Sequence, residues 1–329
     1  MVGATVVLAN SSIVNTSESE NPDLFWAIRG AGSSMGIVSS FQFRTFEVPD
    51  TVTFFVASAP WGTQEKAANG LKAVQDFALN SMPAELNMRV FITGRFVNFE
   101  GLFYGDKAGL KTALGPLLNK TSATLQLSQE GTWLDQVSHF GNGMALDQGH
   151  PYNYVGTTAV VSSRCGANIL QHETFYSSSL YTQALTDEQV TALTTYWFKT
   201  AKANRRDWYL QIDLHGGKAS AVTATATNAM AYAHRDYLLM YSFYDRVDNA
   251  GRYPADGFSL MQGFVGNITS SMDPSDWGQY VNYPDPKLSQ DQAQSRYWGK
   301  HLSKLQAIKA SVDPGNVFHY PQGILPAVL

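Results

Sequence analysis

Cysteine is almost absent from this chain. Among its 329 residues there is one, Cys165, which excludes an intramolecular disulfide and a zinc site built on cysteines. Flanked by Ser163-Arg164 and Gly166, it reads as a structural thiol, with a lone nucleophile as the other reading. Charge is sparse too: Asp, Glu, Lys and Arg make up 15%, and the formal net charge is -4. Such a balance offers no basic field for nucleic acid. No apolar run reaches the ~18 residues that cross a bilayer, so no membrane partner is expected. The seven histidines (His139, His150, His172, His215, His234, His301, His319) form no His-x-x-x-His pair and no facial-triad spacing, so no metal is expected. A Gly-x-Ser-x-Gly elbow and a Gly-x-x-x-x-Gly-Lys-Ser/Thr phosphate loop are also missing.

What is present is apolar and aromatic. Hydrophobic residues account for 44%, which marks a folded chain long enough for about two domains. Four sequons, at Asn10, Asn15, Asn119 and Asn267, accompany few Lys and Glu and many Ser, Thr, Tyr and Trp. This usage suggests a secreted protein. Yet Met1 is followed directly by a strand-like Val2 to Ala9 instead of a signal peptide. The expectation is the C-terminal part of a longer, secreted, monomeric protein.

Residues 6–8 read as a strand, Asn10-Ser11-Ser12 as a turn and Ile13-Val14 as the return. Asn21-Pro22-Asp23 opens a short helix, which the glycine loop Gly30-Ala31-Gly32-Ser33-Ser34-Met35-Gly36 ends before a strand from Ile37. Helix, loop, strand is the wrong order for the dinucleotide fingerprint, so the glycines read either as a connector or as a cofactor contact. Pro49-Asp50 marks a boundary. Strands follow at 51–58, 87–93 and 95–104, and helices at 64–79, 107–118 and 186–203. Residues 130–185 read as loops carrying aromatics. In the strand Asp207 to Leu214, alternation puts Trp208, Leu210 and Ile212 on one face and Tyr209, Gln211 and Asp213 on the other. Tyr237 to Tyr244 is a further strand, and residues 290–310 form one helix stopped by Asp313-Pro314-Gly315. The fold class is α+β: a mainly antiparallel sheet with helices on one face.

Tyrosine, tryptophan, glutamine and aspartate in this abundance suit a carbohydrate cleft, in which rings stack on sugar faces and amides take hydroxyls. An ordinary aromatic core is the alternative. Paired carboxylates for glycoside hydrolysis remain available in Glu100, Asp147, Glu173 and Asp213. Trp277-Gly278-Gln279-Tyr280-Val281-Asn282-Tyr283-Pro284-Asp285 places two phenols three residues apart, as a surface turn or as a pocket pair.

Three separated stretches carry a resemblance. Residues 20–32 (Glu-Asn-Pro-Asp-Leu-Phe-Trp-Ala-Ile-Arg-Gly-Ala-Gly) with Gly36-Ile37-Val38, then Tyr280-Val281-Asn282-Tyr283, then Val312 to Phe318 with Pro321-Gln322-Gly323-Ile324, resemble the berberine-bridge-enzyme-like FAD oxidases. These are of the vanillyl-alcohol-oxidase type. The middle of the chain is similar to the fungal oligosaccharide oxidases within that family. The resemblance implies that 1–48 is the second half of a discontinuous FAD-binding domain, 49–269 the substrate domain, and 270–329 the return to the first. It implies oxidation of the anomeric carbon of a reducing oligosaccharide to a lactone, with oxygen reduced to hydrogen peroxide. Tyr283 would be the base and Asp213 its carboxylate partner, with Gln211, Tyr209, Trp208 and Tyr280 toward the substrate. Gly32, Gly36, Ile37, Val38, Asn282 and Asn316 would face FAD. The family's covalent attachment residues, a histidine and a cysteine, precede the stretch that this chain matches. A carbohydrate-binding fragment without redox activity is the alternative reading.

Overall fold

The computed structural model describes residues 1–140, 174–247 and 252–327. Cys165, His150, His172, Tyr152, Tyr154, Asp147 and Glu173 lie outside them. The chain opens with a three-stranded antiparallel sheet, order β2-β1-β3, from β1 (Gly3–Val7), β2 (Ile13–Ser17) and β3 (Ile37–Gln42). Ser11, at φ 68°, turns β1 into β2, and the Leu8 N–H donates to the Ser12 carbonyl at 2.9 Å. Between β2 and β3 runs α1 (Pro22–Ala31), with proline in its first turn, where no intrahelical N–H is needed.

A seven-stranded sheet follows, order β7-β4-β6-β5-β9-β10-β8, antiparallel at every pairing. Its strands are β4 (Val52–Ser58), β5 (Leu86–Thr93), β6 (Val97–Phe103), β7 (Thr124–Gly131), β8 (Thr174–Thr182), β9 (Asp207–Leu214) and β10 (Leu239–Val247). Helices α2 (Gln64–Asn80), α3 (Lys107–Thr121), α5 (Asp187–Tyr196) and α6 (Ala255–Thr269) share the core of this sheet. Period-two alternation explains the layering: Val90, Ile92, Leu210, Ile212 and Phe243 face the helices and are buried. The short α4 (Trp133–Phe140) lies at the β4–β7 end, where His139 meets Phe54 at 3.7 Å.

The apolar residues gather into two cores. The larger joins the seven-stranded sheet to its helices. In the smaller, Leu24, Phe25, Trp26 and Ile28 of α1 pack on Tyr297, Trp298, Leu305, Ile308 and Ile324. The first and last segments of the chain therefore share one interior. The helix expected over 290–310 is two: α7 (Gln290–Trp298) and α8 (Leu302–Val312), broken at Gly299 with φ 45°. The break follows from that backbone value, which a residue bearing Cβ adopts only with strain.

Candidate active site and cofactor contacts

β9 supplies the first wall. On its open face stand Tyr209, Gln211 and Asp213, and the pairing with β5 sets Arg89 opposite Asp213 and Phe91 opposite Gln211. Arg89 is held by Glu100 of β6 at 2.7 Å. This pairing ties up one of the carboxylates considered for hydrolysis. Sequence reasoning missed Arg89, although a charge at the polar phase of an alternating strand was the available signal. Trp208, by contrast, points into the core. It is 3% exposed, and its indole donates to the Ala201 carbonyl at 3.0 Å. Its expected role as a substrate platform is corrected accordingly, by the same alternation that leaves Tyr209 on the open face.

The second wall is the tyrosine turn. The Tyr283 N–H donates to the Tyr280 carbonyl at 2.9 Å, closing the turn, and the two rings meet edge to face at 5.3 Å. Asn282 donates to the Tyr280 hydroxyl at 2.8 Å. Tyr283 and Asn282 join Arg89, Tyr209, Gln211, Ser242 and Tyr244 around a cavity of about 950 Å³. Tyr280 is outside that lining and supports Tyr283 from behind. Asp213 lines a separate cavity of about 370 Å³ with His215, and reaches Tyr283 through its charge.

The electrostatics of the pair run one way. Burial, and then the Asp213 charge, push the Tyr283 phenol above its ordinary value, with Arg89 opposing. Burial also raises Asp213, against the hydrogen bond from Gln211 at 3.2 Å and the Arg89 charge. A carboxylate raised in this way is a stronger base than one in water.

Asp285 and Gln322 hold the turn in place. The buried Asp285 carboxylate accepts from the Tyr176 and Ser178 hydroxyls, both at 2.8 Å, on edge strand β8. Its N–H donates to the Tyr297 hydroxyl at 2.9 Å, which donates in turn to Gln322 at 3.0 Å. Gln322 donates back to the Asp285 carbonyl at 2.6 Å. Ser179 accepts the Tyr280 N–H at 2.7 Å. Pro-Asp and Pro-Gln-Gly-Ile thus act as one clamp behind Tyr283, a role no local pattern reveals.

The glycines answer to packing. A Cβ on Gly30 would stand 2.3 Å from the Tyr232 nitrogen, and one on Gly36 would stand 2.7 Å from Val6 and 2.8 Å from the Val7 carbonyl. Those approaches are to protein backbone and side chain, which accounts for Gly36 without a cofactor. Gly32 sits in a single 3-10 turn, Ile37 is 60% exposed, and Val38 packs on the smaller core. Asn316 has φ 50°, and its buried Oδ1 lacks a partner. Asp313 orders that loop, accepting the N–H groups of Val317 and Phe318 at 2.8 and 2.9 Å. It also pairs at 2.5 Å with Lys309, and both side chains are fully buried.

Residues 279–325 match the family described as Berberine and berberine like. Xylooligosaccharide oxidase from Thermothelomyces thermophilus is 42% identical over 99% of this chain and 63% of its own length. Glucooligosaccharide oxidase from Sarocladium strictum is 41% identical over 97% and 62%. A solved structure of glucooligosaccharide oxidase from Acremonium strictum, which carries 6-S-cysteinyl, 8α-N1-histidyl FAD, superposes with a TM-score of 0.89. It is 40% identical over all of this chain and 67% of that one. The chain belongs to the berberine-bridge-enzyme-like family. It spans under two thirds of the length of the curated relatives it matches.

The family's cofactor is FAD, and the donors and acceptors here fit part of it. An orphaned buried acceptor on Asn316 and an exposed amide on Asn282 suit the polar edge of a flavin. Among the described residues no group of three His, Cys, Asp or Glu could hold a metal, and no helix is long and apolar enough to cross a membrane.

Proposed function

We propose that the whole protein is a flavin-dependent carbohydrate oxidase that converts the anomeric carbon of a reducing oligosaccharide to a lactone. The observation that carries this reading is the convergence of Tyr283, Gln211, Tyr209 and Arg89 on one cavity, with Asp213 acting on Tyr283. Relatives at 38–42% identity are named as xylo-, gluco- and chitooligosaccharide oxidases, which supports the substrate class.

In this reading the Tyr209 ring and the Gln211 amide seat the sugar. Tyr283 takes the proton of the anomeric hydroxyl. A phenol with an ordinary pKa near 10 is a weak base, and this one is raised further, so Tyr283 works by relay. Asp213, which acts on Tyr283 through its charge, is the final acceptor of that proton. Arg89 steadies the charge that moves between them. FAD, when bound, supplies the acceptor for the departing hydride and passes both electrons to oxygen, giving hydrogen peroxide. Asn282 and Asn316 would hold it, with residues 1–48 and 270–329 as its share of this chain. The second sheet and its helices, residues 49–269, would be the substrate domain.

The test is the full-length protein. A flavin absorption band, bleached by a reducing oligosaccharide and restored with peroxide release in air, is expected. A colourless protein that yields no peroxide sinks the reading. We further infer a secreted, monomeric glycoprotein. The sequon residues Asn10, Asn15 and Asn119 are exposed, whereas Asn267 donates to the Gly263 carbonyl at 2.7 Å within α6. Peptide mass spectrometry of the secreted protein should find glycan at the first three before the fourth.

A further inference from the structure

The face that carries Tyr209, Gln211 and Asp213 continues beyond the cavity. Three rows cross β5 and β9: Arg89 with Asp213, Phe91 with Gln211, Thr93 with Tyr209. Like-facing residues of a strand lie about 6.5–7 Å apart, so the third row is about 13 Å from the first. Away from Asp213 the wall changes from charged, to amide and ring, to ring.

Those rings form a continuous ladder over four strands and a turn. Phe175 stacks on Tyr244 at 5.1 Å, and Tyr244 on Tyr209 at 4.9 Å with 14° between the planes. Tyr209 meets Phe91 at 5.1 Å, and Phe91 stacks on Phe96 at 6.1 Å. Phe96 belongs to the β5–β6 hairpin. The Thr93 hydroxyl accepts the N–H groups of Arg95 and Phe96, both at 3.1 Å, which fixes the turn. An inner ring of the ladder has ring neighbours on two sides, whereas a terminal ring has one on a single side. Phe96 is the terminal ring at the hairpin end, and it is 46% exposed. A free aromatic face held rigidly in line with Tyr209 and Gln211 suits the apolar face of a pyranose ring.

We propose that Phe96, seated by Phe91, is a distal sugar subsite of the same cleft and sets its preference for chain length. A mono- or disaccharide whose reducing end lies at Tyr283 stops short of the hairpin, and a third or fourth unit reaches it. The inference takes from the oxidase reading only the identity of the ligand, a reducing oligosaccharide.

The experiment uses the full-length protein with glucose-, xylose- and N-acetylglucosamine-based sugars of one to four units, β-1,4-linked. Phe96→Ala should raise KM about three- to tenfold for tri- and tetrasaccharides. KM for one and two units, and kcat throughout, should stay as in the wild type. Phe96→Tyr should restore the long-chain KM, and Phe96→Leu, which keeps more bulk on the hairpin, should reproduce the loss. An equal change at every length, or none, overturns the subsite. Calorimetry on the same variants separates the two readings. Length-dependent loss of affinity in a protein that oxidises nothing keeps the subsite and removes the oxidase. Oxidation without length dependence does the reverse.

Discussion

Tyr283 is a weak base placed where a base is required, and its neighbourhood makes it weaker. Burial and Asp213 both hold its proton on, so its use depends on Asp213 being charged when substrate arrives. Replacing Tyr283 with Phe in the full-length enzyme should lower kcat/KM by about 100- to 10,000-fold, the usual weight of a positioned proton acceptor. Oligosaccharide affinity should hold; stopped-flow flavin reduction at the wild-type rate would remove Tyr283 from the chemistry. Asp213 supplies the pH dependence. Its folded pKa is raised by burial, so the ionised form appears only above the ordinary carboxylate range, and kcat/KM should climb with pH through that window. In Asp213→Asn that acid limb should vanish along with most of the activity. The sign for stability is opposite: a raised carboxylate binds its proton more tightly when folded, so the charged form costs stability once pH exceeds its unfolded value near 3.9. Asp213→Asn should therefore melt higher at neutral pH, and a lower melting temperature would contradict the burial argument.

At the scale of elements, the loop after α8 is held by one charge pair. Lys309 donates to Asp313, to the Ser34 carbonyl at 2.7 Å and to the Phe318 carbonyl at 2.8 Å. Removing one partner strands the other charge in the interior. Asp313→Ala should cost about 3–5 kcal/mol in denaturant unfolding, and a loss under 1 kcal/mol would show that water reaches Lys309. Burial alone would push the Asp313 carboxyl up, but the hydrogen bonds from Lys309, Phe318 and Val317 hold it below the ordinary value. Its stabilisation is thus complete above the unfolded pKa and disappears as pH falls through the lower folded one.

The elements also show what a pattern can and cannot carry. Strands β5, β6 and β9 were legible because each alternates, β10 because it is rich in aromatics, and the helices α2 and α3 because each is amphipathic. β8 lies within residues 130–185, which read as loops carrying aromatics, and Ser177-Ser178-Ser179 gives it no apolar period. Ser178 and Ser179 are buried nonetheless, their polarity met by Asp285 and Tyr280 from a hundred residues away. In α6, Gly257, Gly263 and Gly266 dilute the helical signal. The glycines at 30 and 36 read as a connector or as a cofactor contact, and what approaches Gly30 is the backbone of Tyr232. Alternation made Tyr209 and Gln211 readable as one face of β9, whereas the role of Tyr283 beside them was implied by the resemblance. The roles of Asp285 and Gln322 were not readable, because they exist only between elements.

On the scale of the whole molecule, α1 cannot bury Leu24, Phe25 and Trp26 without residues 293–324. Trp298 repeats the dependence in a hydrogen bond, its indole donating to the Gly30 carbonyl at 2.9 Å. The fully buried residues of the larger core all fall within 55–268. During synthesis, then, the earlier of these two segments waits for the later one. Thirteen apolar side chains of residues 1–38 wait for the last segment of that core, and contacts of such long sequence separation form slowly. In refolding followed by pulsed hydrogen exchange, amides of β4–β6 and β9 should be protected before those of β1, β3 and α1; simultaneous protection would refute that order. The delay has a cellular corollary. A chain whose synthesis halts before Ala293 holds a folded larger core and an uncovered α1, a natural client for chaperones.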